Sequence, residues 1–267
     1  MKIIRFLDAD QIIRYGRLAD GGAVRLLEGE VYGALRDAHR AVEVKKLLAP
    51  VAPTAIYCIG LNYIRHAQEG GLQVPEFPVV FMESPAALQH PGDPIQLPRR
   101  LRSDEVDYEC ELAVVIGKPC KNATQENALD YVLGYTCAND VSARDWQGKW
   151  GGGQWCRGKT FDTFAPLGPC LVTTDEIKNP NALAIRTTLN ESVVQDWNTA
   201  DMIFSVRRLI EFLSGSTTLP AGTVILTGTP HGIGAARKPP IFLKPGDTVT
   251  IEIEGIGKLT NPVVEEE

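Results

Sequence analysis

Apolar positions along this chain fall in short runs punctuated by glycine and proline. Ile3, Ile4 and Phe6, then Ile12 and Ile13, then Val24 to Leu27 are brief apolar runs, and Asp20-Gly21-Gly22 marks a turn. Ala55 to Ile59, Val79 to Met82 and Val224 to Leu226 read as buried strands, and Thr248 to Glu254 alternates with period two. Helical spacing is rarer. Thr124 to Val132 predicts a helix capped by Asn122 or Thr124. Met202, Ile203, Val206, Leu209, Ile210 and Leu213 predict a second, with Asp201 as its N-cap. Strands outnumber helices and few strand–helix–strand alternations occur, so the pattern predicts a mainly antiparallel β or α+β architecture. Pro50 and Pro53 bracket a boundary between a small β-rich N-terminal domain, residues 1–52, and one larger domain, residues 53–267.

Composition narrows the function classes. The 267 residues are 44% hydrophobic, enough to offset chain entropy in a packed core. The net charge of −6 argues against nucleic acid or an anionic membrane as main partner, since both demand a cationic face. It leaves room for a small anion held by local cations or a metal. The six cysteines show no CxxC spacing and are expected to be reduced, in a cytoplasmic compartment. The first residues lack the apolar region of a signal peptide, and no apolar run approaches the ~18 residues that span a bilayer.

The segment Asp107 to Ile116 is the most informative. Along a strand, Tyr108, Cys110, Leu112, Val114 and Ile116 share one face. Asp107, Glu109 and Glu111 share the other, which continues as Ala113 and Val115. The carboxylates therefore sit where a face passes from open to buried. Two glutamates at i and i+2 lie roughly 7 Å apart at the backbone, and their repulsion is relieved by a hard divalent cation such as Mg²⁺. A solvated strand edge is the alternative. Asp140, at the end of an apolar stretch, is either a third ligand or a helix N-cap.

Other polar residues offer chemistry. His66 and Glu69, at i and i+3, share one face of a helical turn, where Glu69 can orient and polarise the imidazole, and Gly70-Gly71 fits a hinge. His39 and His90 read as structural, and His231 neighbours the Thr-Gly-Thr-Pro turn. Arg144 and Gln147 could grip a substrate carboxylate and oxygen, and Thr229 could offer a hydroxyl and an N–H. Lys159 follows Gly158, but no P-loop precedes it.

The order of these motifs resembles the fumarylacetoacetate hydrolase family: Gly60-Leu61-Asn62-Tyr63 with His66 and Glu69; Glu109-Cys110-Glu111; Asn139 to Gln147; Arg157 to Phe164; and Leu226 to Pro230. The resemblance runs from Ile59 to Val264. It implies an α+β, mainly β fold with a mixed β-barrel or β-roll core, and a homodimer. It implies Mg²⁺ or Mn²⁺ on Glu109, Glu111 and Asp140, and Lys159 reaching the ligands and the substrate oxo group. It gives His66 and Glu69 the activation of water under a lid. Departures are Glu83 where lysine is frequent, His90 where glycine is frequent, and Leu189-Asn190-Glu191 where the family often has Leu-Asn-Gly.

The shared chemistry starts from a 2-oxo acid and a metal-stabilised enolate. The complete His66/Glu69 pair puts hydrolysis of a C–C bond in a 2,4-dioxo acid first. Oxaloacetate decarboxylation or tautomerisation, or isomerisation of a 2-hydroxyhepta-2,4-diene-1,7-dioate, is the alternative, and a 2-oxo acid binder without turnover is a second.

Overall fold

The computed structural model describes residues 1–267, the side chain of Asp20 excepted. The chain is mainly β, with four short α-helices. Five strands fill the first 52 residues: β1 (Lys2–Leu7), β2 (Ile13–Leu18), β3 (Val24–Gly29), β4 (Leu35–Ala41) and β5 (Lys46–Leu48). β6 (Ala55–Gly60), α1 (Ile64–Glu69), β7 (Val79–Glu83), β8 (Leu88–Gln89) and β9 (Ile95–Leu97) follow. The centre holds β10 (Val106–Asp107), β11 (Cys110–Ile116), β12 (Val132–Asn139), β13 (Ser142–Ala143), α2 (Arg144–Gly148), α3 (Cys156–Lys159) and β14 (Ala165–Thr173). The last third holds β15 (Ala184–Leu189), β16 (Ser192–Asn198), α4 (Val206–Ser214), β17 (Thr223–Leu226), β18 (Thr248–Ile253) and β19 (Gly257–Glu265).

The large sheet runs β4-β3-β2-β1-β14-β12-β11-β17-β6-β7, with β5 beside β1 and β8 beside β14. The N-terminal strands therefore join the rest through β1 and β14, where Lys2 faces Val172. A five-stranded sheet, β16-β15-β18-β19-β9, forms a second layer. Pairing is mostly antiparallel; β6 with β17, β8 with β14 and β9 with β19 are the parallel pairs.

β11 separates two cores. Tyr108, Cys110, Leu112, Val114 and Ile116 pack into the cluster that faces the second sheet and α4. Ala113 and Val115 pack into the other, with Ile56, Cys58, Phe81 and Leu226. The expected alternation holds, yet the strand is broken between Asp107 and Cys110. Asp107 Oδ1 accepts the Tyr108 N–H, Asn139 Oδ1 that of Glu109, and Gln195 Oε1 that of Cys110. Side chains take over where ladder bonds would have run.

Both predicted helices change extent. Asn127 Oδ1 takes the Thr124 N–H, and this local bond replaces a first helical turn, leaving only a 3₁₀ turn at Ala128–Tyr131. The second helix starts at Val206, because the Ile203 and Phe204 N–H groups go to the Asn62 backbone and side-chain oxygens. Its N-cap is Ser205, which accepts from Arg208 N–H; Asp201 instead accepts from Arg65 N–H at the start of α1. All six cysteines are free, and among the described residues no helix is long and apolar enough to cross a membrane.

Candidate active site

A cavity of about 340 Å³ opens where β11, β12 and the end of β6 approach α1, α2 and α3. Eight of the nine predicted site residues line it: His66, Glu109, Glu111, Asp140, Arg144, Gln147, Lys159 and Thr229. Glu69 stands one turn behind His66.

Glu109, Glu111 and Asp140 each bring a carboxylate oxygen within 4.8 Å of the other two, and all three are buried. Asp140 follows β12, its N–H bonds to the Glu109 carbonyl, and it caps no helix, since α2 begins after Ala143. Lys159, 1% exposed, does not lie in solvent: its ammonium sits 2.7 Å from Glu109 Oε2 and 2.8 Å from Asp140 Oδ2. Arg144 Nη2 lies 2.7 Å from Glu109 Oε1.

Charge is unevenly compensated. Burial raises the Glu109 pKa, but Lys159 and Arg144 outweigh it and hold the carboxyl down at about 2. Glu111 has no such partner. Burial pushes its pKa well up, and the negative charges of Asp140 and Glu109 push it further. Burial also raises Asp140, Lys159 opposing. Glu83, where the family often has lysine, adds a fourth buried carboxyl beside Asp140, raised by burial and then by that neighbour.

Asp140 Oδ1 is buried with no hydrogen-bond partner, next to two more carboxylates. Three hard oxygen donors with an orphaned lone pair fit an oxygen-loving divalent cation. Burial and neighbouring negative charge raise the pKa values of Glu111 and Asp140, so protons compete with a cation for these oxygens. Its affinity is expected to rise with pH. Calorimetric titration with Mn²⁺ between pH 5 and 8 should show tighter binding and proton release, whereas a flat profile would speak against this donor set.

Backbone geometry supports the carboxylates. Gly228, at φ +95°, donates its N–H to Glu111 Oε2 at 2.6 Å. A Cβ there would meet Asn62 Cβ at 2.7 Å, so the turn after β17 requires glycine. Thr229 Oγ1 accepts from Gln195 Nε2 at 2.9 Å, while Gln195 Oε1 accepts from Cys110 N–H and Thr187 Oγ1. One amide from β16 thus ties the acidic strand to the Thr-Gly-Thr-Pro turn. Nothing in the local sequence marks Gln195, because Thr229 and Cys110, the site residues it joins, are 34 and 85 residues away.

Asp107, fully buried, has a role beyond strand patterning. It accepts from Arg144 Nε and Nη2 and from the Gly234 and Ala235 N–H groups. Arg144 Nη1 donates to Gln147 Oε1. The guanidinium is therefore braced inside the protein, and most of its donors face away from any ligand.

The residues of α1 are docked. Both Glu69 oxygens accept the Gly232 N–H at 3.0 Å, while His66 Nδ1 stands 3.7 Å from Glu69 Oε2 and has no hydrogen-bond partner. His231 does not line the cavity; its ring meets Trp197 edge-on at 4.8 Å. His90 Nδ1 accepts the Ala49 N–H, and His39 is exposed.

The model of the fumarylacetoacetate (FAA) hydrolase C-terminal family matches residues 55–264. The mitochondrial oxaloacetate tautomerase fahd2 of Xenopus laevis is 52% identical over 219 residues, which is 82% of this chain and 68% of that protein. A 5-carboxymethyl-2-hydroxymuconate delta-isomerase structure from Mycobacterium smegmatis is 39% identical over the full length of both chains, with a TM-score of 0.86. A 2-hydroxyhepta-2,4-diene-1,7-dioate isomerase structure from Mycobacterium marinum is 38% identical, covers 100% of this chain and 99% of its own, and has a TM-score of 0.84. With a family match over most of its length and relatives this similar, the chain is an enzyme of the fumarylacetoacetate hydrolase family.

Proposed function

We propose that this enzyme interconverts the enol and keto forms of a small 2-oxo acid, oxaloacetate first, with Mg²⁺ or Mn²⁺ on Glu109, Glu111 and Asp140. Tautomerase and isomerase relatives favour proton transfer over the C–C hydrolysis that the His66/Glu69 motif put first. The carrying observation is the state of that pair. Glu69 is engaged by Gly232 N–H and stands 3.7 Å from His66 Nδ1, so the pair lacks the hydrogen bond that would orient the imidazole toward a water. Hydrolysis would need Glu69 to leave Gly232, and stands second.

When bound, the cation supplies charge stabilisation to an enolate oxygen. The protein supplies the rest. Lys159 stays an ammonium, since the Asp140 and Glu109 charges outweigh its burial and raise its pKa; it is a fixed positive charge and not a base. His66, lining the cavity, carries the proton between the enol oxygen and C3. Thr229, fixed by Gln195, and the one Arg144 nitrogen turned to Gln147 orient carboxylate oxygens. The docked lid helix excludes water.

With Mn²⁺ present, decay of the oxaloacetate enol band should be accelerated by the enzyme. His66→Ala is expected to slow it by about 10²-fold. An acylpyruvate cleaved faster than oxaloacetate is tautomerised would reverse the order of the two activities.

A further inference from the structure

The cavity has two chemically different ends. The inner end holds the carboxylates, Lys159 and Arg144. The outer end is apolar and begins directly behind the ammonium: Lys159 Nζ lies 5.4 Å from the centroid of the Phe81 ring. Phe81 in turn meets Trp155 at 66° with centroids 5.6 Å apart. Trp155 rests on Gly60, where a Cβ would stand 2.1 Å from an indole carbon, so the glycine makes room for the ring. Leu61 and Leu72 add to the apolar lining, and Leu72 is 52% exposed.

No free cation waits there for a second carboxylate. Among the described residues, the Lys and Arg side chains lining the cavity are Lys159 and Arg144. Lys159 is bound by Glu109 and Asp140. Arg144 is bound by Asp107, Glu109 and Gln147. A four-carbon acid fills the charged end alone and leaves the aromatic wall bare, whereas a charged tail laid along that wall would lose its hydration without a partner.

We propose that the enzyme accepts 2-oxo acids carrying an aryl group on C3, with the ring lying along Phe81 and Trp155; phenylpyruvate is the simplest. This rests on the tautomerase reading and extends its substrate class. The reaction balances as it does for oxaloacetate: the enol O–H breaks, one C–H forms at C3, and no oxidant or second reactant is needed. Trp155 and Phe81 act as specificity residues through contact with the ring.

The experiment follows enol decay of phenylpyruvate and of oxaloacetate with Mn²⁺, for the parent enzyme, Trp155→Ala, Trp155→Phe and Leu72→Lys. The parent is expected to accelerate both. Trp155→Ala should lower the ratio of kcat/KM for phenylpyruvate over oxaloacetate by about tenfold, mainly through KM, and Trp155→Phe should keep most of that ratio. Leu72→Lys, at an exposed position the fold tolerates, should lower the ratio as well. If oxaloacetate is turned over and phenylpyruvate is not, or if Trp155→Ala leaves the ratio unchanged, the aryl subsite is wrong and the tautomerase reading stands. If the parent accelerates neither acid, the reading fails and the subsite with it.

Discussion

Glu111→Gln is expected to lower kcat/KM for oxaloacetate enol by about 10²–10³-fold, while the metal-free protein stays at least as stable as the parent. The combination follows from where Glu111 stands. Its carboxylate is 2% exposed, has no cation of its own, and faces Asp140 and Glu109. A carboxyl whose folded pKa lies above its unfolded value favours the fold at low pH, and that contribution is lost as pH rises through the folded value. A neutral glutamine removes this penalty and still accepts the Gly228 N–H through its amide oxygen. Thermal unfolding at pH 5 and pH 8 should show a parent that weakens at the higher pH without metal and recovers with Mn²⁺. The variant should weaken less than the parent over that range, since Glu83 and Asp140 keep their raised pKa values, and should respond little to Mn²⁺. A variant that keeps both its activity and its metal-induced rise in Tm would remove Glu111 from the donor set.

Lys159→Met should be the most damaging single change in the cavity. The ammonium is the shared partner of Glu109 and Asp140, and all three side chains are buried. Breaking a buried ion pair from one side costs about 3–5 kcal/mol, because the remaining charges stay buried and unmatched. The pH signature is the reverse of that for Glu111. Glu109 is held at about 2, below its ordinary value, so its stabilising contribution is present above about 4.5 and is lost as pH falls toward 2. Without Lys159 much of that contribution vanishes at neutral pH. Urea unfolding at pH 7 should register the loss, and Mn²⁺ should restore part of it by supplying the missing positive charge. Unchanged stability would mean that the ammonium and the carboxylates do not depend on one another.

The core and the acidic cluster were legible because their signals are short-range. Alternation along Tyr108 to Ile116 assigns each side chain to one of two cores, and the departure of Ala113 and Val115 from polarity marks the burial of Glu109 and Glu111. What escaped the pattern depends on distant partners. Asn62 stops α4 from starting early by binding Phe204, 142 residues away. Gln195 carries no local signal and Asp107 reads only as a carboxylate on the acidic face; their work is visible only once β16, α2 and the Gly234 turn reach them. His66 and Glu69 share α1, as their spacing predicts. Spacing cannot report that Gly232, on another segment, competes for the carboxylate.

The most direct measurement is anomalous diffraction from crystals grown with Mn²⁺. The expected result is one strong peak bonded to oxygens of Glu109, Glu111 and Asp140, the three carboxylates that already converge to within 4.8 Å. A map with no peak among those oxygens at saturating Mn²⁺, with Lys159 still bridging Glu109 and Asp140, would contradict a metal-assisted enolisation at this site.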